Sequence, residues 1–322
     1  MGRNTRECKK YAVLFEYSMR FMDKPRGAVI EYPRKQAENE VKFMRLGGGI
    51  MKPWKTPAEY MELVKELGYG AVVFPVDCSA PKELIRELKN RLDDAGITIG
   101  EVGVWRNLMA ADPEERKAHL DFSVGQLALA EEVGARCCVN ISGAAGEVWD
   151  GCYPGNYSEE TRNTVIEQTR YIIDAVKPKH ASYSLEPMPW MLPDSPDDYL
   201  SLIREVDRKE FGVHLDFCNM ISSPARYLKA EAFIRECFEK LSPYIRSIHI
   251  KDCAVDQHAL PFSVLEKRVG EGTLPLHLVL KLANELDSDM PLFTEHLERH
   301  EDYAYSAGYL QALARDHGLR FK

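Results

Sequence analysis

Residues 182–187 read Ser-Tyr-Ser-Leu-Glu-Pro, residues 212–217 Gly-Val-His-Leu-Asp-Phe, and residues 246–252 Arg-Ser-Ile-His-Ile-Lys-Asp. Each is a short run with β-branched, aromatic or aliphatic residues that ends on an ionisable side chain. Runs of this length bounded by turn residues read as buried strands. Between them lie amphipathic segments. Ser195-Pro196 opens one, and another spans 224–240 behind Pro224.

The same grammar extends in both directions. Strand candidates fall at 43–47, 71–76, 98–104, 136–141, 182–186, 212–217, 246–251 and 292–295. Helix candidates separate them. Thr56 and Glu59 form a capping box with Pro57 at the first helical position, and Gly68 ends that helix. The next helix opens at Ala80-Pro81, sets Leu84, Ile85, Leu88 and Leu92 on one face, and stops at Gly96. Asp112-Pro113 opens a long helix ending at Gly134, and Ser158 opens one ending near Pro178. Further helices are expected over 274–286 and 301–317.

Strands alternating with helices imply parallel pairing through right-handed crossovers. Eight such units predict a (β/α)8 TIM barrel over residues 43–322, a single α/β domain with an N-terminal extension over residues 1–42. Within the extension, residues 11–16 read as a short strand or packing segment. The competing architecture is an open doubly wound sheet. No Gly-x-Gly-x-x-Gly follows the first strand, and Gly47-Gly48-Gly49 is a plain triplet.

With 42 basic and 50 acidic residues the formal charge is −8, which argues against nucleic acid as a partner. No apolar run approaches the ~20 residues of a membrane helix, and the first ten residues carry no apolar signal region. These features predict a cytoplasmic enzyme. The eight cysteines form no Cys-x-x-Cys pair and are expected as buried free thiols.

Side chains at the C-terminal ends of barrel strands face the active-site mouth. Glu186, Asp216, His249 and Glu295 occupy four such ends, spaced 30, 33 and 46 residues apart. Three carboxylates at one mouth oppose one another's ionisation unless a cation joins them. Oxygen ligands with a single nitrogen suit one divalent metal ion, manganese ahead of magnesium, cobalt or zinc. Lys251 shares a face with His249 and either holds a substrate oxyanion or pairs with a neighbouring acid. His214 points inward below Asp216, as a core histidine or a partner of the metal site. Trp105 and Asn140 end the third and fourth strands, and Trp190 follows the fifth. All three are candidates for stacking on a substrate or binding its hydroxyls. Arg268 reads as a solvated surface residue. The Gly- and aromatic-rich stretch 143–158 is expected to cover the substrate.

The segments LEPMPW, VHLDFCNM, IRSIHIKD, VGEGTLP and LFTEHLE stand in the order and spacing of a known group of barrels. Over residues 43–317 the sequence resembles the sugar phosphate isomerase/epimerase family, the xylose-isomerase-like TIM barrels. The resemblance implies the same four metal ligands, and implies that Glu186 and Glu295 double as an acid/base pair. It also implies that Glu271 faces the active site. Many relatives carry a histidine where this chain has Asn219, which binds a hydroxyl but does not shuttle protons near neutral pH. The family's DNA-repair branch uses extra histidines on strands 2 and 3, which are missing from FPVDC and EVGVW; Asp256-Gln257-His258 is a weak likeness to it. The expected activity is sugar isomerisation or epimerisation through a cis-enediolate. The alternative is a metal-dependent lyase or dehydratase acting by β-elimination on a keto sugar or cyclitol. The expected partner is a small sugar-like substrate. A homo-oligomer is expected, or a partner subunit met by residues 1–42.

Overall fold

The structure, a computed structural model, describes residues 42–322 apart from residue 288. The extension expected over residues 1–42, with the candidate strand at 11–16 and Cys8, lies outside the described residues except for Lys42.

Eight parallel strands form the barrel wall: β1 (Arg45–Gly48), β2 (Ala71–Val73), β3 (Thr98–Gly103), β4 (Cys137–Asn140), β5 (Ser182–Leu185), β6 (Phe211–Asp216), β7 (Ile245–His249) and β10 (Pro291–Thr294). Their order is β1-β10-β7-β6-β5-β4-β3-β2. The remaining seam, between β1 and β2, is bridged where Gly70 N donates to Leu46 O at 2.8 Å. The open-sheet alternative is thereby excluded. The C-terminus reinforces the base of the wall, because Lys322 N donates to Met44 O at 2.9 Å.

Helices α1 (Pro57–Glu66), α2 (Lys82–Asp94), α3 (Pro113–Val133), α4 (Glu159–Val176), α5 (Pro196–Val206), α6 (Pro224–Leu228), α7 (Ala230–Leu241), α8 (Leu276–Leu286) and α9 (His300–Asp316) follow the strands. The expected caps are present. Asp112 accepts from Glu114 N and Glu115 N, Ser158 from Thr161 N, and Ser195 from Asp198 N. At Thr56 the reciprocal arm differs: Glu59 Oε2 accepts from Lys55 N rather than from Thr56. Helix α2 buries Ile85, Leu88 and Leu92, each contributing ~1.5–3 kcal/mol.

The helix expected over 224–240 is two helices, because Lys229 leaves the helical region at φ −117° and ψ 32°. An antiparallel hairpin, β8 (Asp252–Val255) and β9 (Val264–Lys267), was not expected. Its strands are only four residues long and largely outside the core, so they carry no clear hydrophobic period. Asp256 accepts from His258 N at 2.9 Å, so the Asp-Gln-His segment is a local turn.

The seven described cysteines are free; five are buried, Cys78 is half-buried and Cys152 is exposed. No described helix is long and apolar enough to cross a membrane. The barrel interior is closed by the Phe293 ring. A Cβ at Gly47 or Gly100 would lie 2.4–2.5 Å from that ring, so these glycines give it room.

Candidate metal centre and active site at the barrel mouth

Glu186, Asp216, His249 and Glu295 meet just beyond or at the ends of β5, β6, β7 and β10. One donor atom of each lies within 4.8 Å of the others. His249 Nδ1 is 2.8 Å from Glu295 Oε1, 3.3 Å from Glu186 Oε1 and 3.9 Å from Asp216 Oδ2. These contacts are short without the alignment of hydrogen bonds. Among the described residues His249 Nδ1, Asp216 Oδ2 and Glu295 Oε1 are buried and make no aligned hydrogen bond, although Lys251 Nζ pairs with both carboxylate oxygens. Buried polar atoms without aligned hydrogen bonds are costly, and here they share one small volume.

Two further residues complete the cluster. Glu101 on β3 is 1% exposed and places Oε2 3.4 Å from His249 Nε2 and Oε1 3.2 Å from His214 Nδ1. A carboxylate behind an imidazole fixes which ring nitrogen carries the proton and leaves the other free as a donor atom. Lys251 Nζ lies 2.8 Å from Asp216 Oδ2 and also pairs with Glu295. Four carboxylates therefore face one ammonium and the imidazoles. The excess negative charge, the three buried atoms without aligned hydrogen bonds and the mixed oxygen–nitrogen donor set all fit a divalent cation.

The electrostatics separate the two glutamates. Burial and the charge of Glu295 both raise the Glu186 pKa. Burial would raise Glu295 too, but His249 and Lys251 outweigh it and hold that carboxyl well below its usual range. Burial opposes a charged His249. The carboxylates of Glu295, Glu186 and Glu101 outweigh that, so its pKa stands well above the ordinary value.

The other candidates divide. Trp105 lines a mouth cavity of about 630 Å³ together with Glu186, His249 and Glu295. Asn219 donates from Nδ2 to Glu186 Oε1 at 3.1 Å and accepts from Lys251 Nζ at 3.1 Å, bridging the two. Lys251 pairs with Asp216 and Glu295 and not with the adjacent Asp252. Asn140, Trp190 and Glu271 are not among the cavity's lining residues. Asn140 is fully buried and holds the main chain of Arg106 through both ends of its amide. Trp190 donates from Nε1 to Asp150 O. Glu271 pairs with Arg268, which also bonds Asp302 at 3.0 Å and stacks over Tyr305. The Gly-Glu-Gly turn instead wraps Asp252, whose carboxylate accepts from Cys253, Gly270, Gly272 and Leu274 main-chain N–H groups. A Cβ at Gly272 would lie 2.1 Å from Asp252 Oδ1.

His214 lies one layer below, with Nδ1 2.8 Å from Ser247 Oγ. In the loop 143–158, Trp149 and Asp150 line the cavity, while the buried Asn156 side chain braces Ala145 and Gly151. Glu101, Trp54, Trp149 and His296 also line the cavity and were not singled out as site residues. For Glu101 a signal existed: a glutamate inside the otherwise apolar run Thr-Ile-Gly-Glu-Val-Gly.

The sequence profile of the xylose isomerase-like TIM barrel family matches residues 61–313. The chain belongs to that family. Its fold is also that of solved family structures. A xylose isomerase-like TIM barrel protein from Mycobacterium smegmatis in complex with magnesium is 21% identical, covering 83% of this chain and 91% of that one, with TM-score 0.59. The Escherichia coli 3-keto-D-glucoside 4-epimerase YcjR is 18% identical over 84% and 99% of the two chains, with TM-score 0.61. The probable 3-DHS dehydratase AsbF from Bacillus anthracis is 16% identical over 84% and 98%, with TM-score 0.62. No curated protein sequence matches the chain. At these identities the likeness is one of fold.

Proposed function

We propose that this barrel is a divalent-metal-dependent sugar isomerase or epimerase that moves a proton on the carbon next to a carbonyl through a cis-enediolate. The observation that carries the reading is the convergence of Glu186, Asp216, His249 and Glu295 donor atoms within 4.8 Å, three of them buried without an aligned hydrogen bond. The four residues would hold the ion, manganese by preference. When bound, it supplies Lewis-acid polarisation of the substrate carbonyl. The solved relatives include a magnesium complex and a sugar epimerase, which supports the same reading.

The protein's own groups carry the protons. A carboxylate has two oxygens, so Glu186 and Glu295 can each give one to the ion and keep one for the substrate. Glu186 or Glu295 takes the proton from the carbon beside the carbonyl. The electron pair of that C–H bond enters the enediolate. The other carboxyl delivers a proton to the neighbouring carbon or to the opposite face. Asn219 binds a substrate hydroxyl and keeps Glu186 in place. Lys251 neutralises Asp216 and Glu295.

Asn219 also favours a second reading. Where a histidine would move another proton, this chain has a neutral amide, and an enolate that is not reprotonated can expel a β-substituent. That outcome is a lyase, and a dehydratase is among the similar folds. The test is metal analysis of the purified protein, then incubation with ketoses in D2O. Deuterium next to the carbonyl is expected, together with metal loss in Glu186→Gln, Asp216→Asn and Glu295→Gln. Exchange with loss of water or a substituent establishes the lyase. No bound metal in the parent protein and no exchange overturn both.

A further inference from the structure

The mouth cavity is divided by chain order. Strand β7 brings His249 to it, and the segments after β5 and β10 bring Glu186 and Glu295. The loops after β1, β2, β3 and β4 bring Trp54, Phe74, Trp105 and Trp149. In the sheet, β10, β7, β6 and β5 are contiguous. So are β4, β3 and β2, with β1 across the seam. The three indoles of the lining therefore all enter from the β1–β4 side, beside Glu101 and Asp150, and the metal-ligand candidates enter from the other side with Phe293. At about 630 Å³ the cavity lies in the ~300–1,000 Å³ range of drug-sized ligands, and a single sugar ring leaves much of it open.

The lining is also selective by charge. Glu101, Asp150, Glu186 and Glu295 line it with His249 and His296, and among the described residues neither Arg nor Lys does. Lys251 is already paired with Asp216 and Glu295. A phosphate group here would give up its hydration with no guanidinium or free ammonium among the described residues to receive it.

The indoles are held ready. Trp105 sits at φ +50°, a region that costs free energy for any residue but glycine. Among the described residues, four non-glycines have positive φ. Lys177 and Asp207 are helix C-caps, whereas Trp105 and His296 line this cavity. Gly103 makes room for the Trp105 indole, since a Cβ there would lie 2.1 Å from Nε1. Trp149 is fixed through its carbonyl, which accepts from Ala144 N at 2.9 Å. Trp105 and Trp149 remain 37% exposed each.

We infer that the substrate is a neutral keto sugar bearing a flat apolar aglycone, with the sugar beside Glu186, His249 and Glu295 and the aglycone stacked on the indoles of the β1–β4 side. The inference rests on the proposed sugar site and adds its substrate class.

Isothermal titration calorimetry on the full chain, with Mn2+ added, tests it. Phenyl β-D-glucopyranoside should bind about tenfold tighter than methyl β-D-glucopyranoside. In Trp105→Ala and in Trp149→Ala that ratio should fall below about threefold, with Mn2+ content unchanged. Equal affinities in the parent protein, binding of neither glycoside, or tighter binding of cellobiose or glucose 6-phosphate would overturn it. Deuterium exchange from ketoses reports on the catalytic reading separately. Exchange without preference for the phenyl glycoside removes this inference and leaves the proposed function. Preference without exchange does the reverse.

Discussion

Replacing Glu101 by glutamine tests whether the metal centre is built as the geometry indicates. Glu101 Oε2 lies 3.4 Å from His249 Nε2. If Nε2 carries the ring proton and donates to Glu101, then Nδ1 keeps its lone pair for the ion. Glutamine has nearly the same shape, so Glu101→Gln leaves no cavity and changes chiefly the charge behind the ring. A full unit-charge pair at this distance is worth ~5 kcal/mol at an effective dielectric constant of about 20. A ligating imidazole carries a fraction of a unit charge, so the expected loss is ~1.4–2.7 kcal/mol, or 10–100-fold weaker metal binding. Calorimetric titration of the metal-free protein with Mn2+ measures this directly, with circular dichroism confirming the fold. An Mn2+ affinity in folded Glu101→Gln equal to that of the parent would refute the argument. His249 would then be oriented by packing alone.

Three other outcomes follow from buried or paired groups. In metal-free protein, Lys251→Met leaves Asp216 and Glu295 without their counter-charge and should cost ~3–5 kcal/mol of stability. Thermal melts should show most of that loss recovered by saturating Mn2+; identical melts with and without the ion would contradict it. Tyr199→Phe removes a buried hydroxyl that donates to Leu185 O at 2.6 Å and accepts from Leu185 N and His214 N. It should lower stability by ~1–3 kcal/mol, seen as a lower urea midpoint at unchanged slope. Glu205 is held down to about 2 by its hydrogen bonds from Arg162 and Ser201. A depressed carboxylate stabilises above its unfolded value of ~4.3, and that contribution fades as pH falls towards 2. Glu205→Gln should therefore flatten the stability profile between those limits and lower stability at neutral pH; an unchanged acid limb would count against the pair.

The barrel was legible because its cues are local. Asp112, Ser158 and Ser195 cap their helices through main-chain N–H groups two or three residues away. The apolar face of α2 follows from helical spacing alone, since Ile85, Leu88 and Leu92 recur at three and four residues. The four strand-end residues were legible for the same reason: once a run is a barrel strand, its end faces the mouth. The hairpin β8–β9 and the break at Lys229 were not, because short surface segments carry weak periodicity and are set by what they dock on. Tyr227, just before the break, bonds Thr273 and Val255, far away in the chain.

The sequence by itself determined the alternation of strands and helices, the parallel wall that this alternation requires, and the strand ends at which Glu186, Asp216, His249 and Glu295 stand. Only the tertiary structure decided their neighbours. It set Glu101 behind His249 and Lys251 between Asp216 and Glu295, and it turned Gly270 to Gly272 around Asp252 rather than towards the site. It also brought Trp54, Trp105 and Trp149 from three separate loops to the lining of one cavity. Residue order sets the direction of each side chain along its own strand. Distances between strands, and the charge that each group meets there, exist only once the barrel has closed.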